Sequence, residues 1–175
     1  EPWCGEAGGG FSGAPEDLSR FDERFRELRY AVRRLGGLPR VDVYLDAGHS
    51  AWHPLNDYDA YYGEPRLQFG VVNRLLLAGV GEAAGFFLNP SNNRTTESLL
   101  TYGERVAKCL ALLERDPNYA LPDGYQPSIV YDDAGRFASP CPSDAELDAM
   151  ALTPDLRRRM PHFVIDTSRN GQRPW

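Results

Sequence analysis

The run VDVYLDAGHSAWH, from Val41 to His53, constrains the chain more than any other stretch. Its β-branched and aromatic residues favour a strand that stops at Asp46. The small pair Ala47-Gly48 then turns the backbone, leaving room for a ligand, and a histidine and a tryptophan follow the carboxylate. Two later segments share this layout. Gly85 to Arg94 (GFFLNPSNNR) and His162 to Pro174 (HFVIDTSRNGQRP) each run apolar and then break into Asn, Ser, Asp, Arg and Gly. Short apolar strands separated by helical stretches suit a parallel α/β sheet, because parallel neighbours need a long crossover. The polar residues would then gather beyond the carboxyl ends of the strands, where amides, hydroxyls and carboxylates can meet a hydroxyl-rich ligand.

The intervening sequence reads as follows. Leu18, Phe21, Phe25, Leu28, Val32 and Leu35 recur at spacings of three and four, which predicts an amphipathic helix from Pro15 to Leu35. Pro15 opens it and Gly36-Gly37 closes it. A strand is expected at Val41 to Leu45, a loop at Asn56 to Glu64, a helix at Leu67 to Leu77 and a buried strand at Phe86 to Leu88. Thr96 to Glu114 is expected as a long helix with Leu99, Leu100, Val106, Leu110 and Leu113 on its apolar face, slightly weakened by Gly103. Five prolines between Asp116 and Ser143 predict a long irregular insertion. Short helices follow at Ser143 to Met150, capped by Ser143 with Glu146, and at Pro154 to Met160; a strand at Phe163 to Ile165 comes last.

A chain of 175 residues, 42% hydrophobic, can bury one sizeable core. A net charge of −6 disfavours nucleic acid and anionic membrane as partners, and a neutral polysaccharide remains compatible. No apolar run is long enough to span a bilayer. The basic residues are arginine with the single exception of Lys108, a skew that fits a GC-rich, bacterial source. Cys4, Cys109 and Cys141 lack zinc-ligand spacing. Cys141, in SPCPSD, suits a disulfide, Cys109 reads as a buried thiol within a helix, and the pairing stays open. Asp46, His49, His53 and Asp57 are metal-ligand types, but Gly48 and Pro54 disfavour the helix that would put both imidazoles on one face. No metal or organic cofactor is expected.

Taken in order, YLDAGHSAW, NPSNNR and IDTSRNG resemble three motifs of the glycoside hydrolase family 6 cellulases. The resemblance implies an α/β fold, a partial distorted parallel (β/α) barrel. Residues 1–175 are then one incomplete catalytic domain with an insertion at about 116–143, because such barrels usually need ~250 residues. It also implies inverting hydrolysis of β-1,4-glucosidic bonds in cellulose-like glucans; the alternative is a divergent homologue that binds glucan without cleaving it. Asp46 matches an active-site aspartate in a supporting catalytic role, although an Asp in that place can simply cap its turn. Trp52 matches a sugar-stacking tryptophan, although tryptophans more often belong to cores. His49 matches a histidine that hydrogen-bonds a sugar hydroxyl. Asn89, Ser91 and Asn92 match residues near the sugar and catalytic water, with Asn93 where the family has Tyr. Asp166 and Arg169 match a cleft-lining loop, where Arg169 could orient Asp46 or another carboxylate, or simply pair with Asp166. The family's general acid is the Asp of a Glu-Pro-Asp strand end; this chain has Glu1-Pro2-Trp3, so no acid is assigned. The resemblance further implies a secreted protein, monomeric when complete, whose partner is a β-1,4-glucan or cello-oligosaccharide.

Overall fold

In the computed structural model, residues 15–55, 58–61, 64–68, 70–90, 92, 94–113 and 141–169 are described, those of 15–22, 58–61 and 64–68 by backbone alone. Helix α1 (Pro15–Gly36) leads to strand β1 (Tyr44–Asp46), and β2 (Tyr58–Tyr61) and β3 (Glu64–Gln68) follow. Next come helix α2 (Val71–Ala78), a 3-10 turn (Val80–Glu82), β4 (Gly85–Leu88) and helix α3 (Thr96–Leu113). Helices α4 (Asp144–Ala149) and α5 (Pro154–Arg159) precede β5 (His162–Ile165). Strands β1, β4 and β5 form a parallel sheet in that spatial order, so each of the three motifs supplies one strand and the turn beyond it.

Side chains alternate across a strand, so the register places Leu45, Phe86 and Phe163 on one face and Asp46, Phe87 and Val164 on the other. The first face carries the core. Phe86 stacks on Phe163 with ring centroids 5.5 Å apart, and Val72, Leu75, Leu99, Val106 and Leu110 close over this layer from α2 and α3. Phe86 and Leu88 are wholly buried. On the second face Asp46 and Val164 are exposed. Among the described residues no further strand joins either edge, so they form an open three-strand segment rather than a closed barrel.

Two glycines make this packing possible. A Cβ on Gly103 would lie 2.6 Å from Phe163 Cε2 and 2.9 Å from Leu88 Cδ1. The residue expected to weaken α3 therefore lets the helix seat directly on the sheet. Gly85, at φ +156°, comes so close to β5 that a Cβ would sit 1.9 Å from the His162 carbonyl oxygen.

Several sequence expectations are corrected. The 56–64 segment is not simply a loop, because β2 and β3 pair antiparallel; its tyrosines outweigh its Asp residues in strand preference. Helix α2 starts at Val71 rather than Leu67, since Leu67 and Gln68 belong to β3. The Val41 to Leu45 strand is found at Tyr44–Asp46. On α3, Leu100 is 51% exposed, and the core position falls to Tyr102, which continues the three-and-four spacing from Leu99 to Val106. Cys109 is not a thiol: it is bonded to Cys141, with Cα atoms 5.4 Å apart. Burial inside a helix did not preclude pairing, because α4 follows directly after Cys141 and packs against α3. The expected capping box on α4 is present, with Ser143 accepting from the Glu146 amide and the Glu146 side chain accepting from Ser143. Cys4 and most of the 116–143 insertion lie outside the described residues.

Charged groups fasten the helices. Lys108, 2% exposed, donates to the Leu147 carbonyl and pairs with Glu104, each at 2.7 Å. A buried ammonium is tolerable only when its donors are so engaged. Arg105 binds Asp144 and Asp148 across the same α3–α4 contact. On the other side, Arg33 pairs with Glu82 at 2.6 Å, and Arg29 donates to the Leu76 carbonyl, fixing α1 to the end of α2.

Candidate active site

The site is built on the carboxyl ends of β1, β4 and β5. Asp46 Oδ1 accepts the Gly48 amide at 2.8 Å, and Asp166 Oδ1 accepts the Ser168 amide at 2.9 Å. Both aspartates therefore make the same i to i+2 turn, which ends a strand abruptly and points the following residues out of the sheet. They stand on either side of β4, two strand spacings or roughly 10 Å apart across the sheet, with Asp166 two residues further along by register. Capping and exposure coexist at Asp46: it closes its turn and remains open to solvent.

Between them, Asn89 joins the three strand ends. It is wholly buried, in the left-handed region at φ +66°, a conformation that Asn tolerates better than most residues. Its Nδ2 donates to the carbonyls of Asn92 (3.1 Å) and Asp166 (2.9 Å), and its Oδ1 accepts the Arg94 amide at 3.2 Å. Its backbone amide donates to the Gly48 carbonyl and its carbonyl accepts the Asn92 amide. Asn89 thus frames the site from beneath, with its amide group committed to the protein. Asn92 is half-buried in the turn that Asn89 holds, and Arg169 is exposed in the turn after Asp166. Ser91, Asn93 and Asp57 lie outside the described residues, as do Glu1 and Trp3.

The turn after Asp46 is compact. The His49 carbonyl accepts the amides of both Trp52 (2.9 Å) and His53 (3.1 Å), and His49 Nδ1 accepts the Ala51 amide at 3.2 Å. His49 is 1% exposed. With Nδ1 acting as acceptor, the neutral ring carries its proton on Nε2, which is buried and meets no partner among the described residues. Burial, aided by the positive charge of Arg94, holds the His49 pKa down to about 4. Its ring lies against Trp52, centroids 4.2 Å apart and planes tilted by 35°. Gly48, at φ +58°, is required here twice over, since a Cβ would also come within 3.1 Å of His53 Cδ2 and 3.2 Å of Trp52 Cε3.

Trp52 itself is 47% exposed. The ring thus rests against a buried imidazole and remains half in solvent, which is not the environment of a core tryptophan. The structure therefore brings Asp46, Trp52, Asp166 and Arg169 to one end of the sheet as accessible groups, while His49 and Asn89 lie beneath as buried supports. Among the described residues no three His, Cys, Asp or Glu side chains gather in a metal-holding group.

Comparison with known proteins bears on what this end of the sheet serves. The model of glycosyl hydrolases family 6 matches residues 18–175, nearly the whole chain and all three strand ends. The chain belongs to this family. Against Endoglucanase A of Cellulomonas fimi it is 34% identical over 94 residues, a match covering 54% of this chain and 18% of that protein. No solved structure matches the chain. The family implies a distorted (β/α) barrel, of which the described residues contribute a parallel sheet and its crossover helices.

Two buried residues behind the turn after Asp46 escaped the sequence reading. Tyr102 donates its hydroxyl to the His53 carbonyl at 2.9 Å, and Arg74, 9% exposed on α2, lies close enough for its charge to act on Tyr102. The spacing of Leu99, Tyr102 and Val106 was a signal for the first. Nothing in the sequence distinguished Arg74 from the other seventeen arginines.

Proposed function

We propose that this family 6 chain belongs to a secreted glycoside hydrolase that cleaves β-1,4-glucosidic bonds in cellulose-like glucans with inversion. One observation carries the reading: the half-open Trp52 ring lies in the turn that follows Asp46 at one strand end, across β4 from Asp166 at another. An aromatic plane next to carboxylates suits a pyranose, whose C–H face is apolar and whose rim is all hydroxyl. On this reading residues 1–175 are part of a single catalytic domain, Trp52 holds a glucosyl ring, and Asp46 supplies negative charge near the scissile bond. Asn92, Ser91, Asp166 and Arg169 line the adjoining cleft. His49 and Asn89 act from below, keeping the two loops in register.

Inverting hydrolysis needs a general acid on the leaving oxygen and a carboxylate-assisted water on the opposite face of the sugar. Neither metal nor organic cofactor takes part in that scheme. The name of the Cellulomonas fimi relative, Endoglucanase A, supports a glucan substrate. A substrate of this kind is uncharged, in keeping with an acidic protein, and no described helix is long and apolar enough to cross a membrane.

The test uses the intact protein. Trp52→Ala should weaken cello-oligosaccharide binding about tenfold, the equivalent of about 1.4 kcal/mol for one aromatic stack, with the melting temperature nearly unchanged. Asp46→Asn should preserve binding and folding but lower turnover on a soluble glucan. Unchanged binding in the first variant together with unchanged turnover in the second would sink the proposal. A second reading, glucan binding without cleavage, is favoured by Trp3 standing where the resembling motif has the acid. Cello-oligosaccharide binding without release of reducing sugar would decide for it.

A further inference from the structure

The turn that carries Trp52 is held from three directions. From β4, the Asn89 amide donates to the Gly48 carbonyl at 2.9 Å. From α2, the amides of Val71 and Val72 donate to the carbonyls of Pro54 and Leu55, so two orphan donors of the helix N-terminus are spent on the far end of the turn. From α3 comes a single side chain. Tyr102 is 3% exposed, and its hydroxyl donates to the His53 carbonyl across forty-nine residues of sequence.

The first two anchors fix the ends of the turn; the third acts on the His53–Pro54 peptide, one residue beyond the peptide that joins Trp52 to His53. Trp52 and His53 both donate to one acceptor, the His49 carbonyl, and both rings crowd Gly48. His53 lies between that carbonyl and Trp52, and its amide shares the His49 carbonyl with the Trp52 amide, so displacing the His53 carbonyl disturbs the residue against which Trp52 is set. Helix α3 cannot easily retreat, because Gly103, next to Tyr102, is the point at which it rests on Phe163 and Leu88. We propose that Tyr102 is a positioning residue that sets the plane of Trp52, its hydroxyl on α3 fixing the carbonyl just beyond the ring.

Burial drives the Tyr102 hydroxyl pKa far upward, against an opposing pull from Arg74 and with a further push from Asp46. The hydroxyl therefore keeps its proton, and its role as donor, at neutral pH.

The inference rests on the reading of Trp52 as a glucan platform, but it has a signal of its own. The intact protein labelled with 5-fluorotryptophan gives a fluorine resonance for Trp52 that is assigned by its loss in Trp52→Phe. Tyr102→Phe removes only the hydroxyl and keeps the buried ring. It should shift or broaden the Trp52 resonance while leaving the other tryptophan lines in place. It should also raise KM for cello-oligosaccharides three- to tenfold, with kcat per folded molecule changed less than twofold. In a Trp52→Ala background the same substitution should add no further loss of affinity, because the residue acts through the ring.

An unmoved Trp52 resonance with unchanged KM in Tyr102→Phe overturns the inference. So does an equal loss of affinity with and without Trp52, which would make Tyr102 a general structural residue. If Trp52→Ala leaves glucan binding intact, the functional reading fails and this inference falls with it. Failure of Tyr102→Phe alone leaves that reading standing.

Discussion

The Cys109–Cys141 bond joins the last turn and a half of α3 to the residue that starts the approach to α4, closing a loop of 32 residues. Such a cross-link stabilises chiefly by restricting the unfolded chain, and the loop-entropy relation for this length gives ~3.7 kcal/mol at room temperature. Both sulfurs are buried, so replacement by alanine removes the bond without leaving an unsatisfied polar group. The perturbation is therefore Cys109→Ala, Cys141→Ala and the double variant, each unfolded in urea under oxidising conditions. All three should lose about 3 to 4 kcal/mol, because one substitution breaks the bond as fully as two. The denaturant slope should rise, since an unfolded chain without the cross-link exposes more surface. Adding reductant should bring the unsubstituted protein to the level of the variants. Losses that simply add between the two cysteines would refute the reasoning, because they would report packing at two separate sites. A loss below ~1 kcal/mol with an unchanged slope would refute it as well.

Further outcomes follow from the site and the helix contacts. His49 has a folded pKa of about 4 against an ordinary value of 6.5, so the unfolded chain takes up its proton first as pH falls. Its contribution to stability is intact above pH 6.5 and declines by about 3 kcal/mol between 6.5 and 4. Urea titrations across that window should show this slope, and in His49→Asn, which keeps an acceptor for the Ala51 amide, the slope should vanish. Asn89→Ala loses three side-chain hydrogen bonds and puts a β-carbon residue without local compensation at φ +66°, so thermal melting should report a loss of about 2 to 4 kcal/mol. Lys108→Met keeps the stem and removes the ammonium that holds the Leu147 carbonyl, and a chemical melt should register a loss of about 1 to 3 kcal/mol. A neutral result would mean that the cost of burying the charge cancels its bonds.

The sequence by itself determined the parallel character of the sheet. Val41 to Asp46, Phe86 to Leu88 and Phe163 to Ile165 are short apolar runs with helical spacing between them, and such strands can pair in parallel only through long crossovers. It also located Asp46, Trp52 and Asp166 at strand ends, because the change from apolar to turn-forming residues is itself the local signal that ends a strand. The capping box at Ser143 and Glu146 was legible for the same reason, its partners being three residues apart.

Tertiary structure decided where each of these groups lies and what it touches. Asn89 and Asn92 look alike in sequence, yet Asn89 is wholly buried, its side-chain amide donating to the Asn92 carbonyl in its own turn and to the Asp166 carbonyl beyond β5, while Asn92 is half-buried. His49 and Trp52 share one turn, and only the fold buries the first and opens the second. The bond between Cys109 and Cys141, the carbonyl held by Tyr102, and the close approach that needs Gly103 each join segments distant in sequence. Local propensity carries information over a few residues, whereas these contacts depend on how α3 lies against the sheet and α4, a geometry set by packing the whole core at once.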